Sequence, residues 1–306
     1  MEKVEILLST YNGEKFLQDL LGSLVSQDYP ELLVRVRDDG STDKTQQILK
    51  DFQTANKGKV ELDFDRNIGV KASFFKLLES SSAAADYFAF CDQDDSWLPG
   101  KITKAVSMLK QIDEDIPLLY CSDKILIDEN GNILNKLKLK QRNPSFRNAV
   151  VQNIASGCTY VINKEAKKVI LDSMPKFEKI RMHDWWFYLT VSALGKVLYD
   201  PESLILYRIH RQNVIGIEVD WLKNVTARLK RLFAYKGLPL ITEQALEFSR
   251  LYENSLNHNQ KEVLNEFINS RDNLLKRFLY FFKGRCYREP LMDNIIFRVL
   301  YLAGMV

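Results

Sequence analysis

Residues 4–13, VEILLSTYNG, join a short apolar run to a polar turn. The run at 4–8 combines β-branched and aliphatic side chains, and it predicts a buried strand. Apolar side chains at helical spacing follow over residues 14–27 and predict a helix. The opening of the chain is therefore interpreted as one strand–loop–helix unit.

The same unit recurs along the chain before Pro99. Predicted strands at 32–36, 60–64 and 87–91 each end in a cluster of carboxylate, amide or hydroxyl side chains. This alternation predicts an α/β fold in which helices cover both faces of a mostly parallel sheet. Ligands of such sheets bind beyond the carboxyl ends of the strands. We therefore expect the polar clusters to converge on one site.

Beyond Pro99 the pattern is less regular, and it changes again near residue 220. Between these points it predicts a helix at 100–112, a strand at 118–122, a hairpin turning at 128–132, a strand at Gly157-Cys158 and a helix at 164–173. Later residues have helical spacing throughout. We therefore divide the chain into an α/β domain at 1–216 and a basic helical region at 217–306.

Composition and missing motifs narrow the class of protein. The 306 residues are 46% hydrophobic and 27% charged, which is typical of a globular protein and excludes wholesale disorder. The four cysteines form no CxxC pair, so we expect free thiols in a reducing compartment. Glu2, Lys3 and Glu5 stand where a secretory leader needs apolar residues, and no apolar run is long enough to span a bilayer. We expect a cytoplasmic protein without a nucleic-acid partner.

Familiar nucleotide and hydrolase motifs are missing from the sequence. It contains no GxGxxG, no GxxxxGK[ST], no GxSxG and no HExxH. With three histidines in all, a histidine-rich metal cage is excluded. The remaining candidate chemistry is that of carboxylates.

Asp92 and Asp94 follow the apolar run at 87–91. Residues two apart on an extended chain face the same way, so both carboxylates can reach one point. Mg²⁺ and Mn²⁺ prefer oxygen ligands, and a metal held here can bridge to a diphosphate. The alternative is a solvated acidic turn before the next helix, and the short motif alone favours that alternative.

Polar residues at the other strand ends add context to this pair. Asp38 and Asp39 can accept a hydrogen bond from a pyrimidine ring N–H, or they can simply cap a turn. Thr10, Tyr11 and Asn12 offer groups to a base or ribose, and their alternative is also turn formation. These residues together favour a nucleotide site over isolated turns.

Residues after the predicted strand at 60–64 can likewise contact a ligand or have only a structural role. Asn67 and Gly69 let the backbone approach a ligand closely. Lys71 can reach a phosphate, although a lysine one turn into a helix is commonly solvated.

Seven blocks of sequence, in order, resemble family 2 glycosyltransferases with the GT-A fold, a Rossmann-like and mostly parallel sheet flanked by helices. The likeness covers about residues 3–216, and its blocks are LSTYNGEKFLQDLLGSLVSQDYP, RDDGSTDKT, RNIGVKASF, FCDQDDSWLPGKI, SGCTYVINKEA, MHDWWFYLTV and YRIHRQNVIG. The combination of FCDQDDSW, HDWW and YRxH is similar to bacterial rhamnosyltransferases that use dTDP-L-rhamnose. The helical region after residue 216 extends beyond the resemblance.

The resemblance implies a role for each matching position. Asp39, with Thr10 and Tyr11, would hold the nucleobase. Asp94 would ligate Mg²⁺ or Mn²⁺, and Asp92 would face the ribose or the metal. The remaining implied nucleotide-sugar contacts are Asn12, Glu14, Asn67 and Lys71.

The resemblance also implies the catalytic step. Asp184 matches the catalytic base, and His210 matches a late histidine that completes the metal site. His183 stands where many relatives have glutamate, so its role is open. Trp185 and Trp186 either wall the acceptor sugar or pack in the core.

The basic tail suggests a second function. Residues 221–306 carry 14 Lys and Arg against 8 Asp and Glu. Segments 221–233, 274–283 and 294–302 mix basic with bulky apolar side chains, as helices at a bilayer interface do. The alternative is a bundle that buries these faces on the catalytic domain or on another subunit.

These observations predict an inverting, metal-dependent glycosyltransferase. The expected donor is dTDP-L-rhamnose, and the expected acceptor is a cell-surface polysaccharide or lipid-linked glycan at the cytoplasmic face of the membrane. The alternatives are a UDP-hexose donor, a sugar nucleotidyltransferase, or a non-catalytic carbohydrate-binding or scaffold subunit. A nucleotidyltransferase would require a glycine-rich basic signature after the first strand, which STYNGEK is not.

Overall fold

The computed structural model describes residues 2–113, 115–135, 142–210 and 239–306. Its strands are, in chain order, β1 (Val4–Thr10), β2 (Leu32–Asp38), β3 (Val60–Phe64), β4 (Tyr87–Asp92), β5 (Ser96–Trp97), β6 (Leu118–Ser122), β7 (Ile125–Ile127), β8 (Ile133–Asn135), β9 (Val161–Asn163), β10 (Lys196–Asp200) and β11 (Ile205–Arg208). Its α-helices are α1 (Leu17–Val25), α2 (Thr45–Ala55), α3 (Val70–Ser80), α4 (Lys101–Leu109), α5 (Phe146–Ala149), α6 (Lys164–Leu171), α7 (His183–Leu194), α8 (Pro239–Tyr252), α9 (His258–Asn269), α10 (Leu274–Lys283) and α11 (Leu291–Leu302).

A seven-stranded sheet in the order β10-β6-β9-β4-β1-β2-β3 forms the centre. All neighbouring pairs are parallel except those of β9, which runs antiparallel to β4 and β6. Thr10 pairs with Asp38, and Ser9 pairs with Asp92. The carboxyl ends of β1, β2 and β4 therefore lie side by side, and the predicted mostly parallel α/β sheet is confirmed.

Strand β1 shows why the apolar runs become central strands. Leu7 packs in a core with α3, α6 and α7, whereas Ile6 and Leu8 pack on the opposite face with α1 and α4. All three side chains are fully buried. Because successive side chains of a strand alternate between faces, only a continuous apolar run can fill both cores.

Strand β5, which follows β4 in the chain, belongs to a second sheet in the order β5-β11-β7-β8. The predicted hairpin is confirmed: β7 and β8 are antiparallel, and Asp128 closes the turn by accepting from Gly131 N. The predicted strand at Gly157-Cys158 is wrong. The Tyr160 amide donates to Gly157 O at 2.9 Å, which makes a single 3₁₀ turn, and β9 begins only at Val161.

The C-terminal helices α8–α11 share the core of the α/β domain. Phe248 and Tyr252 of α8 pack on Trp186 of α7, with ring centroids 5.7 and 6.2 Å away. The expected boundary at 216/217 and the segment 221–233 lie outside the described residues. Within the described ranges, none of the helices combines the length and the hydropathy needed to cross a bilayer.

Candidate active site

A cavity of about 640 Å³ opens at the carboxyl edge of the central sheet. Its volume is in the range of small-molecule sites. The predicted site residues that line it come from the ends of β1, β2, β3, β4 and β11 and from the start of α7: Thr10, Tyr11, Asn12, Asp39, Asn67, Asp92, Asp94, Asp184 and His210. The sequence clusters therefore do converge on one site.

The loop after β1 is held in an unusual backbone conformation. Asn12 has φ of 49°, in the left-handed region that asparagine tolerates. Its amide donates to Ser41 Oγ at 2.8 Å, and its Oδ1 accepts from the Thr42 amide at 2.8 Å. These bonds tie the β1 loop to the β2 loop. Tyr11 remains 48% exposed, so its ring is available to a ligand.

Asp39 sits in a network of donors at the end of β2. Its Oδ1 accepts from Arg37 Nη1 at 2.5 Å and from the Ile68 amide at 2.8 Å, and its Oδ2 accepts from the Gly69 amide at 2.9 Å. Arg37 is fully buried, so its charge compensates a carboxylate that is only 3% exposed. Gly69 has φ of 81°, which explains the glycine at this position.

The adjacent Asp38 has a different role from Asp39. It accepts hydrogen bonds from Thr10 Oγ1 at 2.9 Å, from the Ser41 amide at 2.9 Å and from Gln46 Nε2 at 2.9 Å. Asp38 does not line the cavity, and its contacts fix the loop between β2 and α2. Asp38 therefore stabilises the turn, as the alternative interpretation predicts.

An acidic cluster lies at the end of β4. Asp94 Oδ2 is 2.7 Å from His210 Nε2, which joins the β4 end to the residues after β11. Burial, together with the nearby charges of Asp95 and Asp94, raises the pKa of Asp92 well above its ordinary range. Burial and the charge of Asp94 raise the pKa of Asp95 to about 7. Crowded carboxylates of this kind are relieved by a cation.

The donor set fits a hard divalent cation. Asp95 Oδ1 accepts from the Arg208 amide at 3.1 Å, whereas Oδ2 is buried with no hydrogen-bond partner among the described residues. Ligand atoms of Asp92, Asp95 and Cys158 lie within 4.8 Å of one another. Burial raises the pKa of the Cys158 thiol, so it stays protonated and is a poor ligand. Carboxylate oxygens and the imidazole of His210 are therefore the groups available to Mg²⁺ or Mn²⁺.

Asp184 lies in the first turn of α7 and lines the same cavity as the strand ends. Its Oδ1 accepts from the Trp185 amide at 2.7 Å, and its Oδ2 accepts from the Gly157 amide at 3.0 Å. Burial raises the pKa of this carboxyl above its ordinary value. A carboxylate that is fixed in position and made more basic has the properties of a general base.

His183 precedes Asp184 and is only 4% exposed. Its ring stacks on Phe74 with centroids 4.1 Å apart and meets the edge of Phe187 at 5.7 Å. Burial lowers the pKa of His183 to about 3, so the imidazole is neutral at ordinary pH. Its surroundings are those of an aromatic core residue that also reaches the cavity wall.

Lys124 was not identified from the sequence. Its Nζ donates to Ser156 Oγ at 2.6 Å and lies 3.5 Å from the ring centroid of Tyr207. It is the only lysine or arginine among the described residues that line the cavity. Its charge opposes the rise in pKa of both Asp92 and Asp184. No local motif marks it, although a residue just after β6 belongs to the same sheet edge.

Two residues expected to contact the nucleotide-sugar lie outside the cavity lining. Glu14 Oε2 accepts from the Lys44 amide at 2.9 Å. Lys71 Nζ donates to the carbonyls of Phe177 and Ile180 at 2.5 and 2.9 Å. Because two backbone carbonyls hold the Lys71 ammonium, it is not directed to a phosphate in the cavity.

The paired tryptophans also lie outside the cavity lining. Trp185 is 6% exposed and its Nε1 donates to Ala149 O at 2.7 Å. Trp186 is fully buried against α8. Both tryptophans therefore pack in the core, and neither lines the cavity.

Comparison with known proteins identifies the family of the chain. The profile of Glycosyl transferase family 2 matches residues 5–169. A dTDP-rhamnosyl transferase of Shigella flexneri, RfbG, is 29% identical over 235 residues, which cover 74% of this chain and 78% of RfbG. An uncharacterized glycosyltransferase of Methanocaldococcus jannaschii is 30% identical over 219 residues, covering 70% and 73%.

Solved structures share the fold at low sequence identity. TarS 1–349 of S. aureus in complex with UDP-GlcNAc matches with a TM-score of 0.62 at 17% identity, covering 99% of this chain and 81% of that one. The mannosyltransferase PcManGT of Pyrobaculum calidifontis, in complex with GDP-Man and Mn²⁺, matches with a TM-score of 0.53 at 12% identity, covering 99% and 85%. With a family profile that spans more than half of its residues and the mostly parallel sheet of GT-A enzymes, the chain belongs to glycosyl transferase family 2.

Proposed function

We propose that this glycosyltransferase is an inverting, metal-dependent rhamnosyltransferase that uses dTDP-L-rhamnose. One observation carries the proposal: Asp39, Asp94 and Asp184, from three separate parts of the chain, line one cavity. In a complex with a nucleotide-sugar, Asp39 would contact the base, Asp94 would hold the cation that binds the diphosphate, and Asp184 would face the hydroxyl that attacks the sugar.

The choice of donor is supported by the named activity of RfbG, which is similar over most of both chains. In the proposed complex, Thr10, Tyr11 and Asp39 surround the pyrimidine base. Asn12 and Asn67 add polar groups on the same side of the cavity. A UDP-hexose donor is the second candidate, because the similar fold of TarS was solved with UDP-GlcNAc.

We assign Asp94, Asp92 and His210 as the residues that would hold Mg²⁺ or Mn²⁺. The contact of 2.7 Å between Asp94 and His210 and the crowding of the carboxylates support this assignment. Such a cation supplies Lewis-acid stabilisation of the departing diphosphate.

The proton and charge changes of the reaction are assigned to two residues of the chain. Asp184 takes the proton of the attacking sugar hydroxyl, since both of its oxygens are oriented by backbone amides and its pKa is raised by burial. Attack on the face opposite the departing diphosphate forms the new C–O bond as the old one breaks, which inverts the anomeric carbon. Lys124 contributes a positive charge to the cavity in which the diphosphate anion develops.

We further propose that the acceptor is a cell-surface polysaccharide or lipid-linked glycan, and that the enzyme works at the cytoplasmic face of the membrane. All four cysteines are buried free thiols, which supports a reducing compartment. The basic, apolar C-terminal segments support contact with an anionic membrane.

The donor is tested with a panel of dTDP-L-rhamnose, UDP-glucose, UDP-GlcNAc and GDP-mannose, each with Mg²⁺, Mn²⁺ or EDTA. We expect binding and slow hydrolysis of dTDP-L-rhamnose alone, lost in EDTA and restored by either cation. His210→Ala should raise the cation concentration needed for half-maximal activity. A response only to UDP-hexoses would replace the proposed donor, and full activity in EDTA would exclude the metal.

The catalytic assignment is tested with Asp184→Asn. Loss of the base should reduce kcat by about 10²–10⁴-fold while nucleotide binding changes little. The new amide places a donor group against a backbone N–H, which costs about 1–3 kcal/mol of folding free energy, so thermal unfolding is measured alongside. Asp172→Asn, on the exposed end of α6, is the matched control. Undiminished transfer and unchanged cellular glycan in Asp184→Asn would favour the non-catalytic alternative.

A further inference from the structure

Helices α10 and α11 form a fixed hairpin at the end of the chain. Arg298 of α11 donates to the carbonyls of Tyr280, Phe281 and Gly284, which belong to the last turn of α10 and the residue after it. The rings of Tyr280 and Tyr301 stack with centroids 4.2 Å apart. These contacts hold the two helices side by side, so their outer faces form one surface.

That surface is apolar to an extent that is unusual for exposed helices. Of the ten residues of α10, only Tyr280 is buried. Leu275 is 69% exposed, Phe282 is 66% exposed, and Leu291 of α11 is 73% exposed. The remaining exposed apolar side chains of the hairpin are Leu274, Phe278, Leu279, Met292, Ile295 and Val299. A continuous patch of this size marks a surface that is covered in the working protein.

Charge indicates what covers the patch. Residues 271–306 contain seven Lys and Arg and three Asp and Glu. Lys276 and Lys283 are exposed and are one heptad apart on α10, among the exposed phenylalanines. A second copy of the same hairpin would bring like charges together, whereas a bilayer with anionic headgroups complements both the cations and the apolar side chains.

We propose that the α10–α11 hairpin is the bilayer-docking surface of the enzyme, with its apolar side chains inserted among the acyl chains and Lys276 and Lys283 at anionic headgroups. The proposal rests on the proposed function only in that a lipid-linked acceptor requires the enzyme at a membrane. The proposal identifies which face of the C-terminal region contacts the bilayer. The mixture of basic and apolar residues in the sequence does not determine that face.

The test measures partition of the full-length protein into vesicles of phosphatidylcholine, with and without phosphatidylglycerol. We expect binding to the anionic vesicles. The variant Leu275→Gln/Phe278→Gln/Phe282→Gln should bind at least about tenfold more weakly, because it removes three inserted side chains. Lys276→Gln and Lys283→Gln should each weaken binding by about fivefold, and only on anionic vesicles. Val25→Gln and Lys57→Gln, at exposed positions of the α/β domain, are the matched controls.

Three further readouts separate membrane docking from other occupants. The triple variant should keep its unfolding temperature and its sugar transfer to a water-soluble acceptor, because these side chains face solvent. A marked fall in unfolding temperature would overturn the proposal, since it would mean that another segment of the chain covers the face. If the wild type is a dimer and the triple variant is a monomer, the face is assigned to a second copy and not to a bilayer. Equal vesicle binding by wild type and triple variant would also overturn the proposal. Vesicle binding needs no catalysis, so failure of the proposed donor or base does not affect this test.

Discussion

The buried imidazole of His183 makes a specific prediction about acid stability. Its ring is stacked on Phe74 in a site that lowers the pKa of His183 to about 3. In the unfolded chain a histidine has a pKa of about 6.5. The folded state therefore favours the neutral ring, and the stabilisation is complete above pH 6.5 and is lost as the pH falls toward 3.

The magnitude follows from this difference in pKa. At pH 5.5 the unfolded chain gains a proton at His183 that the folded protein does not take up, which costs about 1 kcal/mol of unfolding free energy. At pH 4.5 the loss is about 3 kcal/mol. Over this range the result depends on the unfolded pKa alone, because the folded pKa lies below both values.

The assay compares denaturant unfolding of wild type and His183→Gln at pH 7.5, 5.5 and 4.5. Glutamine cannot be protonated, so the variant should lose less stability on acidification by the amounts above, whatever its starting stability. All other groups titrate in both proteins and cancel in the difference. His258→Gln, whose side chain is 89% exposed in wild type, is the matched control and should change the slope less than His183→Gln does. Equal slopes for wild type and His183→Gln would refute the reasoning.

Three further outcomes are expected. A Cβ at Gly157 would lie 2.8 Å from Asp184 Cβ. With Asp184 as the proposed base, Gly157→Ala should displace it and lower kcat by roughly 10–100-fold with nucleotide affinity kept, and an unaltered kcat contradicts this. Gly22→Ala, whose Cβ would meet no atom within 4 Å, should change neither quantity. Arg37→Met leaves the buried Asp39 uncompensated and should lower the free energy of unfolding by about 3–5 kcal/mol in a urea titration, and a loss below about 1 kcal/mol would argue against a buried ion pair. Because burial raises the pKa of Asp184, kcat/KM should decline on the acid side at a pH above the ordinary 3.8 of an aspartate, and a profile that is flat down to pH 4 would exclude it as the base.

The parts of the fold that the sequence predicts well are those decided by local patterns. Strands at 60–64 and 118–122 have the predicted bounds. VELDF alternates apolar with polar residues, LLYC is a short apolar run, and an aspartate follows each strand. The turn at Gly157 was interpreted as a strand since its apolar surroundings are those of a buried segment of either kind. A hydrogen bond from the Tyr160 amide to the Gly157 carbonyl makes this segment a 3₁₀ turn and not a strand, and composition does not reveal that bond.

The site was predictable where residues follow strands of the parallel sheet, and not where tertiary contacts decide. Thr10, Asp39 and Asp94 line the cavity because topology brings their strand ends together. Lys71 is turned away by two carbonyls about a hundred residues later in the chain, at Phe177 and Ile180. No pattern around Lys71 announces such a distant contact, and the same holds for the missed Lys124.

The pairing of β11 with β5 has a consequence for the order in which the enzyme is assembled. The bond between Thr10 and Asp38 spans 28 residues, whereas those that Arg208 and His210 make to Asp95 and Asp94 span 113 and 116. Longer loops cost more entropy to close and form later. During synthesis on the ribosome, the contacts between the β1 and β2 loops can therefore form well before the acidic end of β4 acquires its partners in β11 and just after it.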